Sequence, residues 1–258
     1  MDHGIPPSGE SSHSAAACPR DYGNLVRLHS CSCRSRFSSF DLTRRSILTD
    51  VHDQAITIAL QDLCLHPEYL EPLRQGIDNH YLNFEHTAQG LPLLDSFIKE
   101  SARLTPTEAS STRRYAVESH TFSDGTHLNR GDWACTPLIA INKIPEYYPN
   151  PEQFGGFRFA PPEVLESLSK MDQEGLAKQD TPSKLVDTDH KWLMFGTGKE
   201  ACPGRFYAAA AAKVIMSQMI SKYDMRMVDK TAKRWWSLRS TIVSREDLMV
   251  ASTCRAKN

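Results

Sequence analysis

Phe195-Gly196-Thr197-Gly198-Lys199-Glu200-Ala201-Cys202-Pro203-Gly204 is the stretch that decides this chain. One cysteine ends a glycine-punctuated loop, just ahead of the alanine block Ala208 to Ala212. A cysteine that ligates a metal must be a thiolate, and a thiolate needs positive potential or the metal itself beside it. The helix expected from near Pro203 to about Lys222 would offer partial positive charge and free N–H groups at its start. Gly196, Gly198 and Gly204 permit unusual backbone angles and the close approach of a flat group. On the loop alone, a buried structural cysteine beside a helix cap is the competing reading. The pattern F-x-x-G-x-x-x-C-x-G fixes four positions, so its chance occurrence is on the order of one in a thousand or less.

Two further motifs precede it. Glu100-Ser101-Ala102-Arg103 sets an acid and a base three apart on one helix face, where they can pair. By themselves they would read as an ordinary surface pair of little worth. Pro151-Glu152-Gln153-Phe154 leads into Phe157-Arg158-Phe159, an arginine between two aromatics that suggests a partly buried guanidinium. Alone, that too reads as a loop arginine.

The composition excludes several classes. The chain has 258 residues, a net charge of −1 and 24% charged residues, so no basic field argues for nucleic acid. The seven cysteines (18, 31, 33, 64, 135, 202 and 254) are scattered without a CxxC pair, against a zinc site or a disulfide framework. No run of about 20 apolar residues would span a bilayer, and the first residues lack the basic start and apolar core of a signal peptide.

Two segments are expected: 1–45, rich in Ser, Gly, Pro and His near its start and read as disordered or loosely attached, and 46–258. In the second, Ile47, Leu48, Val51, Ala55, Ile58, Ala59 and Leu63 recur at helical spacing, predicting a helix to about Leu65. Pro67 opens a short helix to about Gly76. A third helix carries Leu94, Phe97, Ile98 and Leu104, with Asp95 early and Pro106 ending it. Turn signals at Ser123-Asp124-Gly125 and Asn129-Arg130-Gly131-Asp132, with the apolar run Trp133 to Ile141, indicate a small β region. Residues 161 to 190 read as a polar surface excursion, and the tail from Asp224 as a terminal hairpin. The fold class is therefore mainly α with a small β region.

Together, in this order, the three motifs resemble the cytochrome P450 family of haem-thiolate monooxygenases, from about Ile47 to about Met227. TFSDGT, YPNPEQF and ACPGRFYAA look most like fungal members, which often act in secondary metabolism. The resemblance implies the C-terminal part of that fold: a distal-helix remnant, the ExxR helix, a small sheet, the haem-binding loop and the proximal helix. It implies haem b, with Cys202 as axial iron ligand and Phe195, Gly196, Gly198, Lys199 and Gly204 in the cofactor loop. Glu100, Arg103 and Arg158 become a buried ion-pair network locking helix to loop. Arg114 stands where a propionate is commonly paired, a role that suits a guanidinium fork. The thiolate would favour O–O cleavage in the oxidation of an apolar small molecule. Electrons would come from an NADPH-cytochrome reductase, with Lys199, Arg205 and Lys213 steering an acidic partner.

Some residues depart from the family pattern. Where an acid or amide followed by threonine is usual on the distal helix, the aligned pair is His52-Asp53. The pair reads either as a proton relay or as a polar helix start with Asp53 as cap. Glu200 stands where histidine is frequent and is expected to face solvent. The matched part is C-terminal only. A truncated chain without the membrane anchor that holds such enzymes on the endoplasmic reticulum is expected, and a non-catalytic remnant is the alternative. A helical binding module without haem would require all three motifs to be coincidence.

Overall fold

The computed structural model describes residues 24–27, 42–168 and 182–255, of which 24–27 and 42–52 are described as backbone. The order is β1 (Asn24–Arg27), α1 (Leu42–Leu65), α2 (Leu70–Thr87), α3 (Pro92–Leu104), β2 (Ser111–Tyr115), β3 (His120–Thr121), β4 (His127–Leu128), β5 (Trp133–Thr136), α4 (Leu138–Ile141) and α5 (Pro162–Glu166). Then come α6 (Arg205–Lys222), β6 (Tyr223–Met227), β7 (Trp235–Leu238), β8 (Thr241–Ser244) and β9 (Met249–Cys254). Single 3-10 turns lie at Pro67–Tyr69 and Gly198–Glu200.

The core lies where α1, α2, α3 and α6 meet. It is filled by Ala59, Leu73, Leu94, Phe97, Met216 and Ile220, all essentially closed to solvent. Burying a leucine or phenylalanine of this kind contributes about 1.5–3 kcal/mol. The alanines of α6 have the expected use: Ala209 and Ala212 let that helix lie close in the core.

α3 is the centre of the molecule. Pro92 at its start fits a position whose N–H has no helical acceptor. Asp95 sits in the first turn and Arg103 in the last, each matching the helix dipole. Every residue from Leu93 to Arg103 is buried, so its polar side chains must find protein partners.

Sheets surround this core as small antiparallel pieces. β9 lies between β1 and β6, and β2–β5, β3–β4 and β7–β8 are separate pairs. A smaller cluster of Cys64, Met227, Leu248 and Val250 joins the end of α1 to the three-stranded sheet. Burial there pushes the Cys64 thiol up to about 11, which leaves it unreactive.

Several expectations change. α1 starts at Leu42, and β1 pairs with β9, so parts of 1–45 have regular structure. The rest of that segment lies outside the described residues. α2 continues past Gly76 to Thr87, because Leu73, Ile77 and Phe84 extend one buried face. It ends at Ala88, which is left-handed and returns its N–H to the Phe84 carbonyl. The run Trp133 to Ile141 is not all strand: β5 stops before Pro137, and α4 follows. In the expected surface excursion, Leu165 and Leu185 are core residues, while 169–181 lies outside the described residues. The tail does form a hairpin, β7–β8.

Gly156 is packed under Tyr69 and Phe97. An added Cβ would stand 2.8 Å from Phe97 Cδ2 and 3.0 Å from Tyr69 Cε1. These rings interlock edge to face with each other and with Phe154. Gly156→Ala is therefore expected to lower stability by about 1–3 kcal/mol through overpacking. Denaturant titration reads this directly, and an unchanged midpoint would contradict it.

Candidate functional site

The Glu100 carboxylate is the focus of α3. It accepts from Arg103 Nε at 2.7 Å and Nη2 at 2.8 Å, a two-pronged contact on one helix face. Arg158 Nε approaches both oxygens, at 3.1 and 3.2 Å, and the Gly155 N–H adds a bond of 2.9 Å. Glu100 is 0% exposed and both arginines 1%. One carboxylate thus faces two guanidiniums. The excess positive charge is met by carbonyls: Asn142 and Pro151 accept from Arg103, and Pro149, Asn150 and Gln153 from Arg158. Asn142 Nδ2 returns a bond to the Arg103 carbonyl at 2.9 Å. These bonds fasten α3 to the loop 149–158.

The cysteine loop is shaped by its backbone. Gly196 and Gly198 take φ of +73° and +62°, a region that favours glycine. The Cys202 N–H donates to the Phe195 carbonyl at 2.8 Å and closes the turn. Phe195 packs against the core and anchors one end. Arg205 fastens the other, donating to the carbonyls of Cys202 and Val186 at 2.9 and 3.1 Å. Cys202 is half-buried and free of any disulfide. Helix α6 begins at Arg205, three residues beyond it. A Cβ on Gly204 would lie 3.9 Å from Cys202 Sγ, so glycine there leaves that side of the sulfur clear. A soft sulfur donor on a bared, glycine-shaped turn fits a thiolate-bound haem.

The remaining expected residues fall as follows. Lys199 and Glu200 are exposed in the 3-10 turn. Arg114 is exposed on β2, its guanidinium folded onto the Arg113 carbonyl at 2.9 Å. Among the described residues no carboxylate pairs with it, so its fork is available to a propionate. Asp53 is half-buried well inside α1. The capping alternative for it is overturned, because the helix starts eleven residues earlier. The His52 side chain lies outside the described residues. Lys213 cannot steer a docking protein: it is buried and paired with Asp95 at 2.5 Å.

Other buried polar residues carry as much of the frame and are silent in the sequence. Lys99 donates to Ser183 Oγ and the Lys184 carbonyl. Asp95 accepts from the Leu185 N–H at 2.7 Å, and Ser96 from the Phe159 N–H at 2.9 Å. Asp62 of α1 meets Ser101 and Arg234, and burial pushes its carboxyl up. Gln54 and Gln61 hold Ser244, tying α1 to β8. All but Ser101 of the polar residues of α3 fall on one side of the helix, opposite Leu93, Leu94, Phe97 and Ile98, and such a side reads in sequence as a solvated face.

A mainly helical frame, a buried Glu-Arg-Arg lock and one cysteine on a glycine loop define the haem-thiolate class. A family model described as cytochrome P450 matches residues 53–247. The chain belongs to the cytochrome P450 family, whose cofactor is a haem with cysteine-thiolate-ligated iron. Cytochrome P450 monooxygenase hepE of Aspergillus oryzae is 31% identical over 220 residues, 81% of this chain and 38% of that protein. Cytochrome P450 monooxygenase atmQ of Aspergillus flavus is 34% identical over 182 residues, 68% of this chain and 32% of that one. The chain thus spans less than two fifths of the length of these curated relatives. The retinoic acid-bound cyanobacterial CYP120A1 shares the fold, with a TM-score of 0.60 at 20% identity over 80% of this chain and 43% of that chain. Among the described residues no helix is long and apolar enough to cross a membrane.

Proposed function

We propose that this chain carries the thiolate side of a haem monooxygenase, with Cys202 as the axial ligand. Its substrate is an apolar small molecule, its electrons come from an NADPH-dependent flavoprotein reductase, and its setting is fungal secondary metabolism. The observation that carries the reading is the closed loop around Cys202, set on a frame locked by Glu100. The two Aspergillus monooxygenases support the reaction class and the fungal setting.

Haem, when bound, supplies the one-electron and O2 chemistry, and an axial thiolate favours O–O cleavage. The chain's own residues hold and orient. Gly196, Gly198 and Gly204 keep the main chain clear of the flat ring, and Lys199 adds positive charge to the same turn. Arg114 offers a planar fork to a propionate carboxylate. The Glu100, Arg103 and Arg158 network fixes α3 against the 149–158 loop. On α1, Asp53 and the preceding His52 are the proposed proton relay.

The test is the ferrous–CO spectrum of the purified chain supplied with haem. The expected result is a thiolate-type band that Cys202→Ser abolishes. Haem binding without such a band, or a band that survives the substitution, would overturn the assignment. A thiolate band without NADPH-driven turnover in the presence of a reductase would favour the non-catalytic alternative.

A further inference from the structure

We propose that Lys99 is a positioning residue for the cysteine loop: its ammonium, seated between Phe159 and Trp192 and bonded to Ser183 and Lys184, sets the stretch 183–193 from which that loop departs. The proposal rests on the reading of Cys202 as the iron ligand.

The geometry is that of a latch. Lys99 Nζ donates to Ser183 Oγ at 2.9 Å and to the Lys184 carbonyl at 2.8 Å. It stands 4.8 Å from the centre of the Phe159 ring and 4.7 Å from that of Trp192, within the range in which a cation is drawn to an aromatic face. Trp192 folds back to the same place, its indole N–H donating to the Leu185 carbonyl at 2.9 Å. The Leu185 N–H in turn reaches Asp95, one turn of α3 before Lys99. From Trp192 the chain passes to Leu193, whose carbonyl accepts from Ser111 Oγ at 2.7 Å, and then to Phe195, whose carbonyl receives the Cys202 N–H. One buried ammonium is therefore connected to the cysteine turn through a continuous bonded stretch.

Three carboxylates face it: Asp95 from its own helix, and Asp187 and Asp189 from the loop. Asp95 is shared with Lys213 of α6. Asp187 is held by the Lys184 N–H, and Asp189 by the N–H groups of Lys191 and Trp192. Burial outweighs their attraction and pulls the Lys99 ammonium down from its ordinary 10.5 to about 8. In an opened stretch Lys99 returns to water and keeps its proton up to 10.5. Between about pH 8 and 10.5 the open form therefore binds more protons than the closed one, and rising pH favours closure. The neutral amine still donates both hydrogen bonds.

Hydrogen exchange of 183–193 in the full chain, normalised to the intrinsic rate at each pH, tests this without haem. Wild-type protection is expected to rise from pH 8 to pH 9 by up to about tenfold. Lys99→Met removes both donors and is expected to lower protection about tenfold at pH 9 and to abolish the rise. Lys99→Arg keeps donors but stays charged, so it is expected to retain protection and lose the rise. In the haem-loaded chain, the share of the thiolate band should follow pH in wild type and in neither variant. Exchange of 183–193 that ignores both substitutions overturns the proposal, as does a thiolate band whose share responds to pH in the same way in wild type and both variants. Absence of that band in wild type overturns the Cys202 reading instead, and the exchange result then stands by itself as the measure of the latch.

Discussion

Glu100→Gln is expected to lower the unfolding free energy by about 3–5 kcal/mol, the loss typical of breaking a buried ion pair from one side. The substitution keeps shape and removes charge. Two guanidiniums, both sealed from water, would then face an amide with one oxygen in place of a carboxylate with two. The amide NH2 would also point donors at donors, since Arg103, Arg158 and the Gly155 N–H all converge there. A surface pair at the same i,i+3 spacing would lose only about 0.2–1 kcal/mol. Urea titration with an unchanged m-value separates the two cases. A loss below about 1 kcal/mol would mean that water reaches the site. Arg103→Lys should also be poorly tolerated, because an ammonium cannot reach Glu100 and two carbonyls in the planar arrangement of a guanidinium.

Trp192→Ala is expected to be of similar size, about 3–5 kcal/mol. The side chain is 2% exposed and among the largest in the core. Its removal opens a cavity, strips the Leu185 carbonyl of its donor and takes one aromatic face from Lys99. Trp192→Phe restores part of the volume and the aromatic face but not the N–H, so it should fall between wild type and alanine. Thermal or denaturant unfolding of the three proteins checks the order. Equal stability of the phenylalanine and alanine variants would show that the missing hydrogen bond, not the cavity, dominates.

The parts of this molecule legible in the sequence are those set by local rules. Asp95 and Pro106 mark the ends of α3, and glycines mark the turns between β3 and β4 and ahead of β5. Glu100, Arg103, Arg158 and Cys202 were legible through spacing and order, and the structure joins the first three in one network. The length of α2 is not legible because Gly76 reads as a stop, whereas the buried face of Leu73, Ile77 and Phe84 carries the helix through it. Lys99 and Lys213 were illegible for a different reason. A lysine beside a glutamate, or after an alanine run, reads as a solvated cation. Its burial depends on carbonyls and rings from irregular segments, which carry no periodic signal. Lys213 accordingly reads as a docking charge, whereas its ammonium is spent on Asp95.

The wiring of α3 also has a kinetic meaning. Its polar side chains and their partners are separated by 39, 55, 58, 63, 84 and 90 residues along the chain. None of these contacts can form until long loops have closed, and closing long loops slows folding. During synthesis α3 emerges well before Arg158, Ser183 and Leu185, so its charges must stay hydrated until those segments arrive. The helix at the centre of the frame is thus held by contacts of high sequence separation, the kind whose loop-closure cost weighs most on the folding rate.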